Sequence, residues 1–154
     1  VHVGQGAQDE EGIARQLGAI RSPTGSHSFW KLIADFGGVR FDFAHHGPIG
    51  RLPWTTPNLL VRHAIELELS YHRIGQTLPV YAVRSHNHRW GDSGMNAPIR
   101  VLSLASWCGI TSYTHKITQG NLVLPQVGGL IFRIENGTHS FRMVNYTEQT
   151  EWIS

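Results

Sequence analysis

The sequence predicts an α/β fold, a strand–helix–strand unit followed by a β-rich tail, and three observations carry that expectation. Two short apolar runs, F-D-F-A at 41–44 and V-Y-A-V at 80–83, flank a segment of helical periodicity. Gly37-Gly38 and Asn136-Gly137 each stand between β-favouring runs, and such dipeptides supply the positive φ of tight hairpin turns. Each apolar run of the first pair ends in histidines, His45-His46 after one and His86-Asn87-His88 after the other. Parallel strands joined by one crossover emerge at the same sheet edge, so four imidazoles are expected in one cleft.

Taken in order, the chain opens on V-H-V-G-Q-G-A, read as the end of a strand running into a loop, with His2 at the strand's end. From Asp9, acidic residues lead and Ile13, Leu17 and Ile20 recur at helical spacing, which predicts a short helix weakened by Gly12 and Gly18. Residues 22–28, with Pro23 and Gly25, read as a loop. Ser28–Phe36 and Val39–Ala44 are expected as an antiparallel pair about Gly37-Gly38, and Phe41 and Phe43 alternate with Arg40 and Asp42. Asp42 either faces the site or pairs with a neighbouring arginine.

Thr56-Pro57 reads as a capping hydroxyl followed by proline at the first helical position. Leu60, Ala64, Leu67, Tyr71 and Ile74 then form one apolar stripe, and Gly75 closes the helix as a left-handed cap. His63 and His72 lie beside that stripe as partly buried surface histidines. Val80–Val83, after Pro79, has the look of a buried parallel strand. Beyond it, 99–104, 110–114, 128–135 and 139–146 read as strands of an antiparallel or mixed sheet.

The 154 residues suffice for one domain with a sizeable core, and 40% hydrophobic against 16% charged residues exclude a disordered chain. A net charge of +2, from scattered basic residues, gives no footprint for nucleic acid, which is expected only as a substrate. Ten histidines are the stronger anomaly and point to metal or acid–base work. Cys108 stands alone, so neither an internal disulfide nor a cysteine-rich zinc site can form, and it reads as a buried inert thiol in a reducing, cytoplasmic setting. No run approaches the ~18 apolar residues of a membrane span. The start at Val1, without an initiator methionine, suggests a piece of something longer.

Histidines at i and i+2 of an extended loop aim their rings the same way, which suits one ion held twice or two neighbouring ions. Imidazole binds zinc, manganese, iron or nickel, and such a centre acts as a Lewis acid or activates water. Arg51, Arg84 and Arg89 lie near the histidines in sequence and read either as an anion clamp or as solvated surface. Trp54, Trp90 and Trp107 read as core packing ahead of walls of the cleft.

R-S-H-N-H at 84–88 resembles the G-H-x-H motif of calcineurin-like metallophosphoesterases, and F-A-H-H-G-P at 43–48 resembles their upstream metal-histidine motif. The resemblance implies two mixed sheets sandwiched between helices, with residues 1–154 as a single domain or the C-terminal part of one. It implies His86, His88 and one of His45 or His46 as ligands in a centre that holds two divalent ions in the complete enzyme. His2 falls where the family carries the histidine that neutralises the transferring phosphate. Ser85 replaces the family's glycine, and the D-x-H and G-D-x-x-D motifs that supply carboxylates are absent from this chain. The expected activity is hydrolysis of a phosphomonoester or phosphodiester, with this segment inactive by itself. A non-catalytic metal-binding or structural module is the alternative, and a mononuclear histidine-only hydrolase a third reading.

Overall fold

The computed structural model describes residues 7–48, 53–107 and 126–146. His2, Arg51, Cys108, the expected strand at 110–114 and the opening strand lie outside the described residues. The chain divides into two compact units, Val1–Leu32 and Ile33–Ser154.

In the first unit, helix α1 spans Ala7–Gln16. The apolar stripe expected on it is not buried: Ile13, Leu17 and Ile20 are all exposed, and the last two lie beyond the helix end. The helix is instead tied to the 22–28 loop by Glu11. Its carboxylate accepts from the backbone N–H of His27 (2.7 Å) and of Ser28 (3.0 Å) and from the hydroxyls of Ser26 (2.8 Å) and Ser28 (3.0 Å). Those donors, the His27 amide first, hold the Glu11 carboxyl down at about 2.

The second unit is built on a mixed five-stranded sheet in the order β1-β2-β3-β5-β4. Strand β1 (Lys31–Phe36) and β2 (Val39–Ala44) are joined by Gly37-Gly38, both at positive φ, as the two-residue turn requires. Helix α2 (Thr56–Arg73) carries the chain from β2 to β3 (Tyr81–Arg84), and the two strands pair in parallel with Ala44 opposite Arg84. Strand β5 (Arg100–Ser103) adds parallel to β3, and the two-residue β4 (Gly91–Asp92) adds antiparallel to β5. A separate hairpin pairs β6 (Val127–Glu135) with β7 (Thr138–Tyr146) about Asn136-Gly137.

Period-two alternation sorts the sheet's side chains into two cores. Ala82 and Val101 pack with Leu60, Ala64, Tyr71 and Ile99 on the α2 side. Val39, Phe41, Tyr81, Val83 and Leu102 face the other way, against Leu130, Phe132, Ile134 and Phe141 of the β6–β7 hairpin. The architecture is therefore mixed α/β in three layers: helix, five-stranded sheet, hairpin.

Two details of α2 differ from expectation. Thr56 is not the cap, because a 3₁₀ turn (Pro53–Thr55) runs straight into the helix and leaves Thr55 at the N-cap in helical geometry with no side-chain cap bond. Ile74 is exposed and ends the helix, while Gly75 at φ +65° closes it as expected. Its N–H donates to the carbonyl of His72 and that of Gln76 to the carbonyl of Tyr71, the double bond of a Schellman cap.

Candidate metal centre

The parallel register of β2 and β3 brings their carboxyl ends level, and the Ser85 N–H extends the ladder by donating to the His45 carbonyl at 3.1 Å. Immediately beyond, His45, His46 and His86 converge, one nitrogen from each lying within 4.8 Å of the others. His45 Nε2 and His86 Nδ1 are 3.0 Å apart, so one donates a proton to the other. Ring centroids lie 4.6–5.0 Å apart across the trio. His46 is exposed at its mouth, and the other two are half-buried.

The donor set fits a metal ion. Nitrogens bound tetrahedrally at 2.0–2.1 Å stand about 3.3 Å apart, so the His45–His86 pair is already near that separation and His46 needs a modest ring movement. Three imidazoles leave a coordination position open. The His45-His46-His86 cluster can therefore hold a metal ion. Among the described residues no carboxylate joins it, so the bridging oxygens of a two-ion centre are not found there.

His88 stands apart from the trio. The expectation of rings aligned by an extended i, i+2 spacing fails because the backbone is not extended: His86 has φ +72° and His88 φ +53°. The Asn87 N–H donates back to the Ser85 carbonyl at 2.9 Å, closing a three-residue turn about His86. That turn aims His86 at the β2 loop, and the His88 carbonyl accepts from the Gln126 N–H.

Arg84, read from sequence as a substrate contact, is buried at 2% exposure. Its Nη1 donates to the Asp42 carboxylate (3.1 Å), to the Asp42 carbonyl (2.8 Å) and to the Val83 carbonyl (3.1 Å). Its Nε donates to His63 Nε2 at 3.2 Å. Asp42, fully buried, also accepts from the Tyr71 hydroxyl at 2.9 Å. Of the alternatives for Asp42, the arginine pair is the one formed, and it withdraws Arg84 from any ligand in solvent. Burial first, and then the bond to the Asp42 anion, push the Tyr71 phenol well above its usual range. His63 is held below the usual histidine value, chiefly by burial and then by the Arg84 charge, against the opposing pull of Glu66 and Asp42. Arg89 is half-buried, and its carbonyl accepts from the Ser103 hydroxyl.

The tryptophans also depart from the core reading. Trp54 and Trp107 are 73% and 69% exposed, Trp107 lying over Gly129 and against Tyr146. Trp90 is half-buried, and its indole N–H is buried without a partner among the described residues. Asn87 was not singled out from sequence, although it stands inside the H-x-H motif. Its side-chain amide donates to the Pro48 carbonyl at 2.8 Å.

No family model and no curated protein matches the chain. Among solved structures, the Thermotoga maritima protein TM1076, determined by solution NMR, aligns with a TM-score of 0.42 at 16% identity, over 78% of this chain and 56% of that one. The chain thus spans little more than half the length of that protein. No helix among the described residues is long and apolar enough to cross a membrane.

Proposed function

We propose that this chain contributes a histidine metal centre to the hydrolysis of a phosphate ester, in the manner of the metallophosphoesterases that its two histidine motifs resemble. The observation that supports the reading is the meeting of His45, His46 and His86 at the carboxyl ends of adjacent parallel strands, where open α/β sheets place their ligands. Of the metals considered, an all-imidazole set favours zinc, iron or nickel over manganese, which prefers oxygen donors. A divalent ion held there supplies Lewis acidity toward a phosphoryl oxygen and lowers the pKa of water.

The chain's own residues do the rest. One of His45 Nε2 and His86 Nδ1 carries the proton of their hydrogen bond, so an incoming ion that takes both nitrogens requires that proton to move to the other nitrogen of its own ring. His46, exposed, leaves the mouth open on the substrate side. Of the three candidate arginines, Arg89, three residues past His86, is the described one left outside the core to meet a phosphate, with Arg51 a second candidate. Any carboxylate that completes a second ion site comes from beyond the described residues.

A non-catalytic metal-binding module is the second reading, and the absence of a carboxylate from the described cluster favours it. Titration with zinc and cobalt, alongside turnover of bis(p-nitrophenyl) phosphate, separates the two. The hydrolytic reading expects metal binding and metal-dependent turnover, both lost in His45→Ala and His86→Ala. Binding without turnover in the intact protein would leave the module. No binding at all would remove both.

A further inference from the structure

The trio depends on two loops being held at one spacing, and three contacts between those loops are visible. One is the Ser85-to-His45 backbone bond that continues the sheet ladder. The second is a close approach: a Cβ on Gly47 would stand 2.8 Å from Arg84 Cβ and 3.1 Å from its Cγ, so only glycine lets the chain after His46 lie on the arginine stem. The third is the Asn87 side chain, which crosses from the middle of the H-x-H segment to the Pro48 carbonyl, two residues past His46. Because that carbonyl can only accept, the atom facing it must be the amide nitrogen, and the orientation of Asn87 is fixed.

That orientation leaves Asn87 Oδ1 buried with no hydrogen-bond partner among the described residues. A buried acceptor left unmade destabilises a fold, and a residue chosen for stability alone would not keep it. The flanking histidines add to the cost, since both hold positive φ, which residues other than glycine adopt at a penalty. Asn87 therefore sits at the centre of a locally unfavourable turn whose product is the aim of His86 and the position of the His45-His46 loop.

We propose that Asn87 is a positioning residue for the histidine trio, with Gly47 as its counterpart on the facing loop. The Asn87–Pro48 bond sets the distance between the two loops, and hence the His45–His86 approach and the geometry offered to a metal ion. The inference rests on the metal reading for its consequence, but the positioning itself is a property of the metal-free chain.

The test compares wild type with Asn87→Leu, similar in size and without the donor, and with Gly47→Ala. In the metal-free protein, imidazole ¹⁵N shifts report the His45 Nε2–His86 Nδ1 bond. Cobalt titration reads affinity and, through the visible d–d bands, coordination geometry. Thermal unfolding reports the fold. The expected result for Asn87→Leu is loss of the His45–His86 signature, about a tenfold or greater fall in cobalt affinity with altered d–d bands, and a melting temperature unchanged or raised. Gly47→Ala should weaken cobalt binding likewise. Wild-type ¹⁵N shifts and cobalt affinity in Asn87→Leu would overturn the positioning role and leave the metal reading intact. A lowered melting temperature with unaltered d–d bands would also overturn it, by making Asn87 a structural residue only. A wild-type protein that keeps the His45–His86 bond, loses it in Asn87→Leu, and binds no cobalt would sustain the positioning and remove the metal centre.

Discussion

The Arg84 guanidinium is buried at the end of β3, two residues before His86 in the chain, and its role is decided by what surrounds it. It is paired with a carboxylate that has no exposure, and three further groups accept from it: the Asp42 carbonyl, the Val83 carbonyl and the His63 ring of α2. Removing one member of a buried pair strands the other, so Arg84→Leu is expected to cost about 3–5 kcal/mol in urea unfolding. Tyr71→Phe, which removes one of the bonds to the Asp42 anion, should cost about 1.5–3 kcal/mol. His63 makes the network pH-sensitive. It accepts from Arg84 at Nε2, which requires the neutral ring, and its pKa is held below 6.5 in the fold. The unfolded chain therefore takes up a proton there that the folded chain refuses. The stabilisation is full above about pH 6.5, is lost progressively as pH falls from there, and stops changing below the folded pKa. His63→Gln should flatten the wild-type stability profile between pH 7.5 and 5. An unchanged slope would show that other histidines carry it.

At the level of elements, β3 is the hinge between the layers: all four of its residues are buried, because β2 and β5 flank it, α2 covers one face and the β6–β7 hairpin the other. Phe132 anchors the hairpin, its ring 4.9 Å from Phe41, 5.1 Å from Tyr81 and 5.6 Å from Phe141. Phe132 is half-buried, so Phe132→Ala should fall below the usual core penalty, at about 2–3 kcal/mol, and hairpin amides should lose exchange protection ahead of those of α2. The hairpin and α2 were legible in the sequence because their signals are local: Asn136-Gly137 for one, the Leu60–Tyr71 period for the other. The short β4 was not, since Gly91 and Asp92 carry no pattern. Nor was the turn at His86, because alternation in an H-x-H assumes an extended chain and positive φ at a histidine leaves no mark on composition. Arg84 was misassigned for the same kind of reason, its burial depending on residues 42, 63 and 71, which only the tertiary fold brings to it.

For the whole molecule, the parallel arrangement of β2, β3 and β5 turns two separate sequence motifs into one cluster, within the Ile33–Ser154 unit. The trio is assembled by the fold and dispersed on unfolding, so an ion that binds it must stabilise that unit by mass action. At a free concentration of a hundred times Kd the gain is about 2.7 kcal/mol, and at about 2–4 °C per kcal/mol for a chain of this size the transition should rise by about 5–10 °C. The variants assign the effect. His45→Ala and His86→Ala remove trio nitrogens and should abolish the rise. His88→Ala should retain it, because His88 lies outside the cluster, and His88→Gly should in addition raise the metal-free transition by relieving the positive φ at that position. A rise that vanishes in His88→Ala would return His88 to the ligand set that the G-H-x-H resemblance implies, and would mean that the turn about His86 rearranges when the ion binds.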